Sequence, residues 1–223
     1  MQNNFINYIK KAMYLLVFTG VGFANAGSYE DFFSAVKQDN AGKVQELLRR
    51  GFDANTTDPK GLGGIYLALT EPSPKAAQVL IAWPKTDVNK LNPKGESPLM
   101  MAAIKGYPDL AQKLIDRGAD VNKTDWTPLH YAASAGQVAI ISLLLENSAY
   151  IDAESPNGTT PLMMAAMYGT PAAVKLLLQE GADPQLKNQQ GLTALQFAQR
   201  AKRPDSTEAI AASIRGKRPV GQW

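Results

Sequence analysis

The chain has no cysteine and only one histidine, His130, among its 223 residues. That excludes a disulfide framework, a thiol nucleophile and a zinc centre built from Cys and His ligands. It also excludes lipid anchoring through an acylated cysteine. Any Ser–His–Asp triad would have to be built on His130. No phosphate loop is present: Gly61-Leu62-Gly63-Gly64 lacks the strand-to-helix setting and the Lys-Ser/Thr that such a loop needs. Carboxylates such as Asp109 and Asp116 stand isolated on polar helix faces. Nothing gathers the acid and base that catalysis requires. The expectation is a protein that is not an enzyme and needs no cofactor or metal.

Charge of one sign is scarce too. The formal net charge is +3, but Lys10 and Lys11 lie in the N-terminal segment. Residues 199–223 carry six Lys/Arg against two Asp/Glu, which leaves the body between them at −3. A body of that charge is no footprint for nucleic acid.

What is present is a repeat. Ser97-Pro98-Leu99-Met100-Met101-Ala102-Ala103 returns as Thr127-Pro128-Leu129-His130-Tyr131-Ala132-Ala133. It returns again as Thr160-Pro161-Leu162-Met163-Met164-Ala165-Ala166, then as Thr193-Ala194-Leu195-Gln196-Phe197-Ala198. Pro128 to Pro161 is 33 residues, and Pro161 to Ala194 is 33 more. A fixed period in this range signals stacked supersecondary units. In each unit a hydroxyl takes the N-cap and, in three of them, proline the first helical position. The Ala pairs predict close helix approach. Gly106, Gly136 and Gly169 are read as left-handed residues ending the first helices. A second apolar helix follows, as in Ile140-Ile141 with Leu143-Leu144-Leu145. It ends at Gly118-Ala119-Asp120 or Gly181-Ala182-Asp183.

These motifs, Thr-Pro-Leu-His-x-Ala-Ala, the Leu-Leu pairs and Gly-Ala-Asp-Val-Asn, resemble ankyrin repeats. The resemblance implies an all-α solenoid of helix-turn-helix units with projecting β-turns and a concave binding face. Stepping back from Pro98 predicts a degenerate unit at Gly63-Gly64, which lacks the capping hydroxyl. A capping unit near Asp31 precedes it. About six units fill residues 27–215, the first and last capping, and 216–223 is read as a frayed tail. The 30-residue step from Pro98 to Pro128 omits three residues before Trp126, including the turn glycine found at Gly95, Gly158 and Gly191. The projecting turn is therefore predicted to be shortest there, leaving a notch beside Trp126.

Residues 1–26 fall outside the repeat. Lys10 and Lys11 precede a 12-residue, mainly apolar run from Ala12 to Phe23, then Ala24-Asn25-Ala26. Those are the parts of a secretory signal peptide cleaved after Ala26. The run is short for a membrane span. The reading is a periplasmic protein whose mature chain has no integral membrane span. It resembles small exported bacterial ankyrin proteins.

Mapped by the resemblance, the partner-binding positions at turn tips are Lys94, Glu96, Asp125, Trp126, Asn157, Thr159, Gln189 and Gln190. At the ends of first helices they are Ile104, Lys105, Ser134, Met167 and Tyr168. Trp126 and Tyr168 carry the aromatic area that anchors interfaces. The expected function is a monomeric protein–protein interaction module acting through its concave face, with a protein partner. The alternative is a protective accessory or immunity-type protein. It would bind a toxin or support a periplasmic enzyme under oxidative stress. Met100/Met101 and Met163/Met164 are expected in the core; thioether binding of Cu(I) by these pairs with Met167 is the less favoured role.

Overall fold

The structure, a computed structural model, describes residues 27–216. The predicted signal segment and residues 217–223 lie outside the described residues. Among the described residues twelve helices form six pairs. They are α1 (27–37) with α2 (Ala41–Arg49), α3 (Gly64–Thr70) with α4 (Pro74–Ala82), and α5 (Pro98–Lys105) with α6 (Pro108–Asp116). Then come α7 (Pro128–Ala135) with α8 (Val138–Glu146), α9 (Pro161–Met167) with α10 (Pro171–Gln179), and α11 (Ala194–Arg200) with α12 (Pro204–Gly216). Gly216, read from sequence as tail, belongs to α12. The first helices pack on one another in the order α3, α5, α7, α9, α11, and the second helices stack behind them from α2 to α12. Among the described residues there is no named strand, only an isolated bridge from Thr57 to Gly63.

The start of each unit follows from its side chains. The hydroxyls of Ser97, Thr127 and Thr160 accept from the backbone N–H three residues on. The bond is returned: the N–H of Ser97 donates to Met100 Sδ at 3.2 Å and that of Thr160 to Met163 Sδ at 3.4 Å. Thr127 N–H donates to His130 Nδ1 at 3.2 Å, and Thr193 N–H to Gln196 Oε1 at 2.9 Å. Methionine, histidine and glutamine side chains thus provide the same acceptor to the N-cap N–H. The sulfurs of Met100 and Met163 are committed to this bond, and both residues are buried. In two of the methionines, therefore, the thioether serves the helix cap as well as the core.

Gly106 and Gly136 end α5 and α7 with φ of 75° and 68°. Gly169 corrects the expectation, for α9 is capped by Tyr168 at φ −120° and Gly169 is not left-handed. Its glycine is demanded by space: a Cβ there would sit 2.3 Å from the Ala133 carbonyl oxygen on α7.

Gly64 stands where later units hold proline because the Phe32 ring lies over it, 2.7 Å from an added Cβ. Gly63 differs. It is the N-cap of α3, with φ −73°, ψ 156° and no side-chain cap bond, and a Cβ there meets nothing within 4 Å. Serine at position 63 fits the extended backbone that Ser97 adopts. Gly63→Ser is expected to stabilise the protein by about 1 kcal/mol, through a restored cap and a stiffer unfolded chain. Urea titration checks this; an unchanged or lowered midpoint would refute it.

The core runs unbroken through the stack. Phe32, Leu69, Leu80, Leu99, Leu114, Leu129, Ile141 and Leu144 are among the largest fully buried side chains. The alanine pairs at 102/103, 132/133 and 165/166 are fully buried between neighbouring first helices. Polar side chains add links between units. The Asn89 carboxamide donates to Gly118 O and accepts from Asp120 N–H. Asn55 and Asn122 do the same one unit earlier and later. Arg117 donates to the carbonyls of Ile81 and Trp83, and Arg203 to that of Gly169. Each covers the open end of a preceding helix or its exit turn.

Candidate functional site

The projecting turns form first, from a residue that supplies an acceptor near its own backbone. In one turn Asn92 Oδ1 accepts from the N–H groups of Lys94 and Glu96, while Asn92 N–H donates to Glu96 O. Asp58 and Asn188 repeat the pattern, and in the remaining turn Ser155 Oγ accepts from Thr159 N–H. Gly61, Gly95, Gly158 and Gly191 each take a left-handed φ in these turns. In the shortened turn before α7 the left-handed position falls to Asp125, at φ 69°. Residues 122–127 show no backbone pair of the kind that closes the other four turns.

Beside this short turn lies a depression of about 270 Å³ lined by Ile104, Trp126, His130, Tyr131, Ser134 and Met164. Ile104 comes from α5, Tyr131 and Ser134 from α7, and Met164 from α9. The lining is largely apolar. Trp126 is half-buried and stands edge-on to the His130 ring, with centroids 5.2 Å apart and planes at 76°. His130 is fully buried. Its Nδ1 accepts from Thr127 N–H and its Nε2 lies 2.8 Å from the Thr159 carbonyl oxygen. These partners fix a neutral ring protonated on Nε2. Burial depresses its pKa to about 4, against the smaller opposing effect of backbone hydrogen bonds at Thr159 and Ala153. His130 therefore ties two units together and forms one wall of the depression.

One edge of the depression is polar. Tyr131, which lines it, donates its hydroxyl to Glu96 Oε1 at 3.1 Å. Tyr66 donates to Glu96 Oε2 at 2.8 Å, and the Asn92 carboxamide donates to the same oxygen at 2.7 Å. Burial alone would raise the Glu96 pKa. Hydrogen bonds from Asn92, Tyr66 and Tyr131, with the Lys94 charge, outweigh that and hold it below the usual value. Burial pushes the Tyr66 hydroxyl up to about 12, helped by its bond to Glu96. Tyr131 moves upward for the same reasons. Carboxylate and phenols are thus fixed as acceptor and donors, with no proton poised for transfer near neutral pH.

The sequence-selected residues divide on this map. Ile104, Trp126 and Ser134 line the depression, and Glu96 is joined to it through Tyr131. Lys94, Lys105, Asp125, Asn157, Gln189 and Gln190 are exposed around the turns and helix ends. Tyr168 is 59% exposed and Met167 partly so, at the end of α9. Thr159 is corrected: it is 3% exposed, its N–H bonds Ser155 Oγ and its carbonyl accepts from His130. It braces the turn and offers no side chain to a partner. Tyr66, Asn92, Tyr131 and Met164 belong to the site and were missed. Tyr66 occupies the place of His130 in its own unit, which was the available signal.

A family model described as ankyrin repeats in three copies matches residues 32–125, 65–155 and 149–218. ZDHHC13 of Danio rerio, which carries a palmitoyltransferase name, is 36% identical over 130 residues, 56% of this chain and 20% of that protein. Neurogenic locus notch homolog protein 2 of Homo sapiens is 33% identical over 123 residues, 54% of this chain and 5% of that protein. The chain spans a fifth or less of the length of these curated relatives. A solved structure corresponds over a far larger share. It is that of the Bd0816 predatory endopeptidase from Bdellovibrio bacteriovorus in complex with immunity protein Bd3460. One of its chains matches with a TM-score of 0.70 and 30% identity, over 82% of this chain and 97% of that one. Repeat period, capped helix pairs and these correspondences agree, and the chain belongs to the ankyrin repeat family.

Proposed function

We propose that this protein is an exported, non-catalytic binder that restrains an exported hydrolase, in the manner of an immunity protein, through its concave face. The observation that carries the reading is the 30% identity with a chain of an endopeptidase–immunity protein complex, spanning 97% of that chain. The site supports it. An apolar depression lined by Trp126, Tyr131 and Met164 supplies desolvated aromatic area, and fixed polar groups border it. Such surfaces concentrate binding energy in a few residues. The leader-like residues 1–26 support export to the compartment where such a partner acts.

Affinity capture from an exported-protein extract tests the proposal, with the wild type and a folded Trp126→Ala variant as baits. The expected result is a hydrolase that the wild type inhibits at one-to-one stoichiometry. Trp126→Ala should weaken the complex about 30-fold or more, the loss typical of an interface anchor. The native protein recovered from the extract should have the mass of residues 27–223. A captured hydrolase that works unhindered at saturation would sink the inhibitory reading. Equal binding by the variant would move the site away from Trp126.

A further inference from the structure

Glu96 is unusual in being held firmly and left without a cation. Its two oxygens take three hydrogen bonds, from residues in three successive units: Tyr66, Asn92 and Tyr131. All three donors are neutral, so the negative charge stays. The ion pairs among the described residues are Lys43–Glu46, Arg50–Glu46 and Arg215–Glu208, and none involves Glu96. Lys94 is near enough to be felt by the carboxylate but forms no ion pair with it. A carboxylate offers about four acceptor positions, so roughly one remains open. Because the side chain is already ordered, a ligand that uses it incurs little rotamer entropy loss.

Tyr131 links this charge to the apolar depression, since its ring lines the cavity while its hydroxyl reaches Glu96. We propose that the combined surface seats an arginine side chain of the protein partner. The guanidinium sits on Glu96 and the aliphatic stem lies across Tyr131 against Trp126 and Ile104. This deepens the reading of the Trp126 face as the partner site and rests on it. Charge complementarity selects a cation, and the neighbouring apolar area selects one with a long stem. Arginine fits better than lysine for two reasons. One guanidinium N–H takes the open position on Oε1, which already accepts from Tyr131, while the planar group stacks on aromatic faces, and it is more weakly hydrated than an ammonium. Exposed Lys94 is the one competing charge identified beside Glu96, and its removal should favour the guest.

The test is a ¹⁵N NMR titration of the full chain with N-acetyl-arginine methylamide. N-acetyl-norleucine methylamide serves as the uncharged stem. The reporter is the Trp126 indole N–H, assigned with Trp126→Phe. The arginine probe is expected to shift that signal with millimolar affinity, at least about fivefold tighter than the norleucine probe. Glu96→Gln keeps the side-chain shape and removes the charge, at the cost of one acceptor oxygen, so it should erase the difference between probes. Lys94→Ala should tighten arginine binding about twofold, and about 0.5 M salt should weaken it. Should Glu96→Gln fail to fold, Lys94→Ala and the salt series still decide. Equal affinity of the two probes for the wild type would overturn the arginine assignment. It would leave an apolar site at Trp126 intact, since hydrolase capture by the wild type and its loss in Trp126→Ala are read separately. Arginine binding that leaves the Trp126 signal unmoved would also overturn it.

Discussion

Gly169→Ala is expected to destabilise the protein by about 3 kcal/mol, the upper end of what overpacking a core costs. The reason lies in which atoms would have to move. The added Cβ would stand 2.3 Å from Ala133 O, 2.9 Å from Ala165 Cα and 3.0 Å from Ala165 O. All three are backbone atoms, and no rotamer change relieves them. Relief at Ala133 O requires α9 to move away from α7, and that opens the seam where Ala132, Ala133, Ala165 and Ala166 are buried, while the Ala165 contacts lie within the end of α9 itself. Contrast Gly64, where the obstacle is the Phe32 ring, a side chain with some freedom to swing. Gly63→Ala is the matching control, because its Cβ meets nothing within 4 Å. Denaturant unfolding of the two variants beside the wild type measures the difference. A loss below about 1 kcal/mol for Gly169→Ala would show that the two helices separate easily. The same shift should reach function. Tyr131 and Ser134 on α7 and Met164 on α9 face one depression, whose width the close approach at Gly169 helps to set.

Gly169 also shows where sequence reading succeeds and where it stops. Caps were legible because each depends on residues within a few positions, and the period because the same short motif returns at near-constant spacing. Ser97, Thr127 and Thr160 announce their helices through bonds spanning three residues. The short turn was legible from three absent residues, though not the rescue of its left-handed position by Asp125. A glycine at a fixed place in the repeat, however, answers two physical demands that look identical in sequence. At Gly106 and Gly136 the demand is backbone conformation; at Gly169 it is a neighbour's carbonyl. The site was hidden for a related reason. Tyr66 meets Glu96 across 30 residues, and Tyr131 meets it across 35. Such contacts depend on how one unit is rotated on the next, and no local pattern records that. Thr159 looked like a free tip residue because its bond to His130 spans 29 residues. Met100 and Met163 were read as packing, which is half of their role; the other half is to stand in the place of His130 as the acceptor of the cap.

That replacement makes the acid response of the stack predictable. His130 is neutral in the folded protein, with a pKa depressed from 6.5 to about 4, chiefly by burial. In the unfolded chain it titrates near 6.5. Between these values the unfolded state binds a proton that the folded state refuses, so stability falls as pH falls. From pH 7 to pH 5 the loss comes to about 2 kcal/mol, approaching about 3 kcal/mol near pH 4. His130 is the only histidine, so no other histidine contributes to that window. The carboxylates held low, Glu96 and Glu46, add losses only at more acid pH. His130→Gln separates the titration from the structural role. Gln196 shows that a carboxamide oxygen accepts the cap N–H at 2.9 Å, so glutamine at 130 preserves the box and carries no titrating group. The variant should be somewhat less stable at pH 7 if its reach to Thr159 is imperfect, yet nearly flat between pH 7 and pH 5. Urea unfolding at the two pH values measures both slopes. Equal slopes for variant and wild type would mean that His130 protonates without cost, and that the ring is neither as dry nor as fixed in tautomer as its two partners require. A flattened slope would locate the acid sensitivity of the whole stack in one ring, which also walls the proposed binding depression. Partner binding should then weaken over the same pH range in the wild type and hold in the variant.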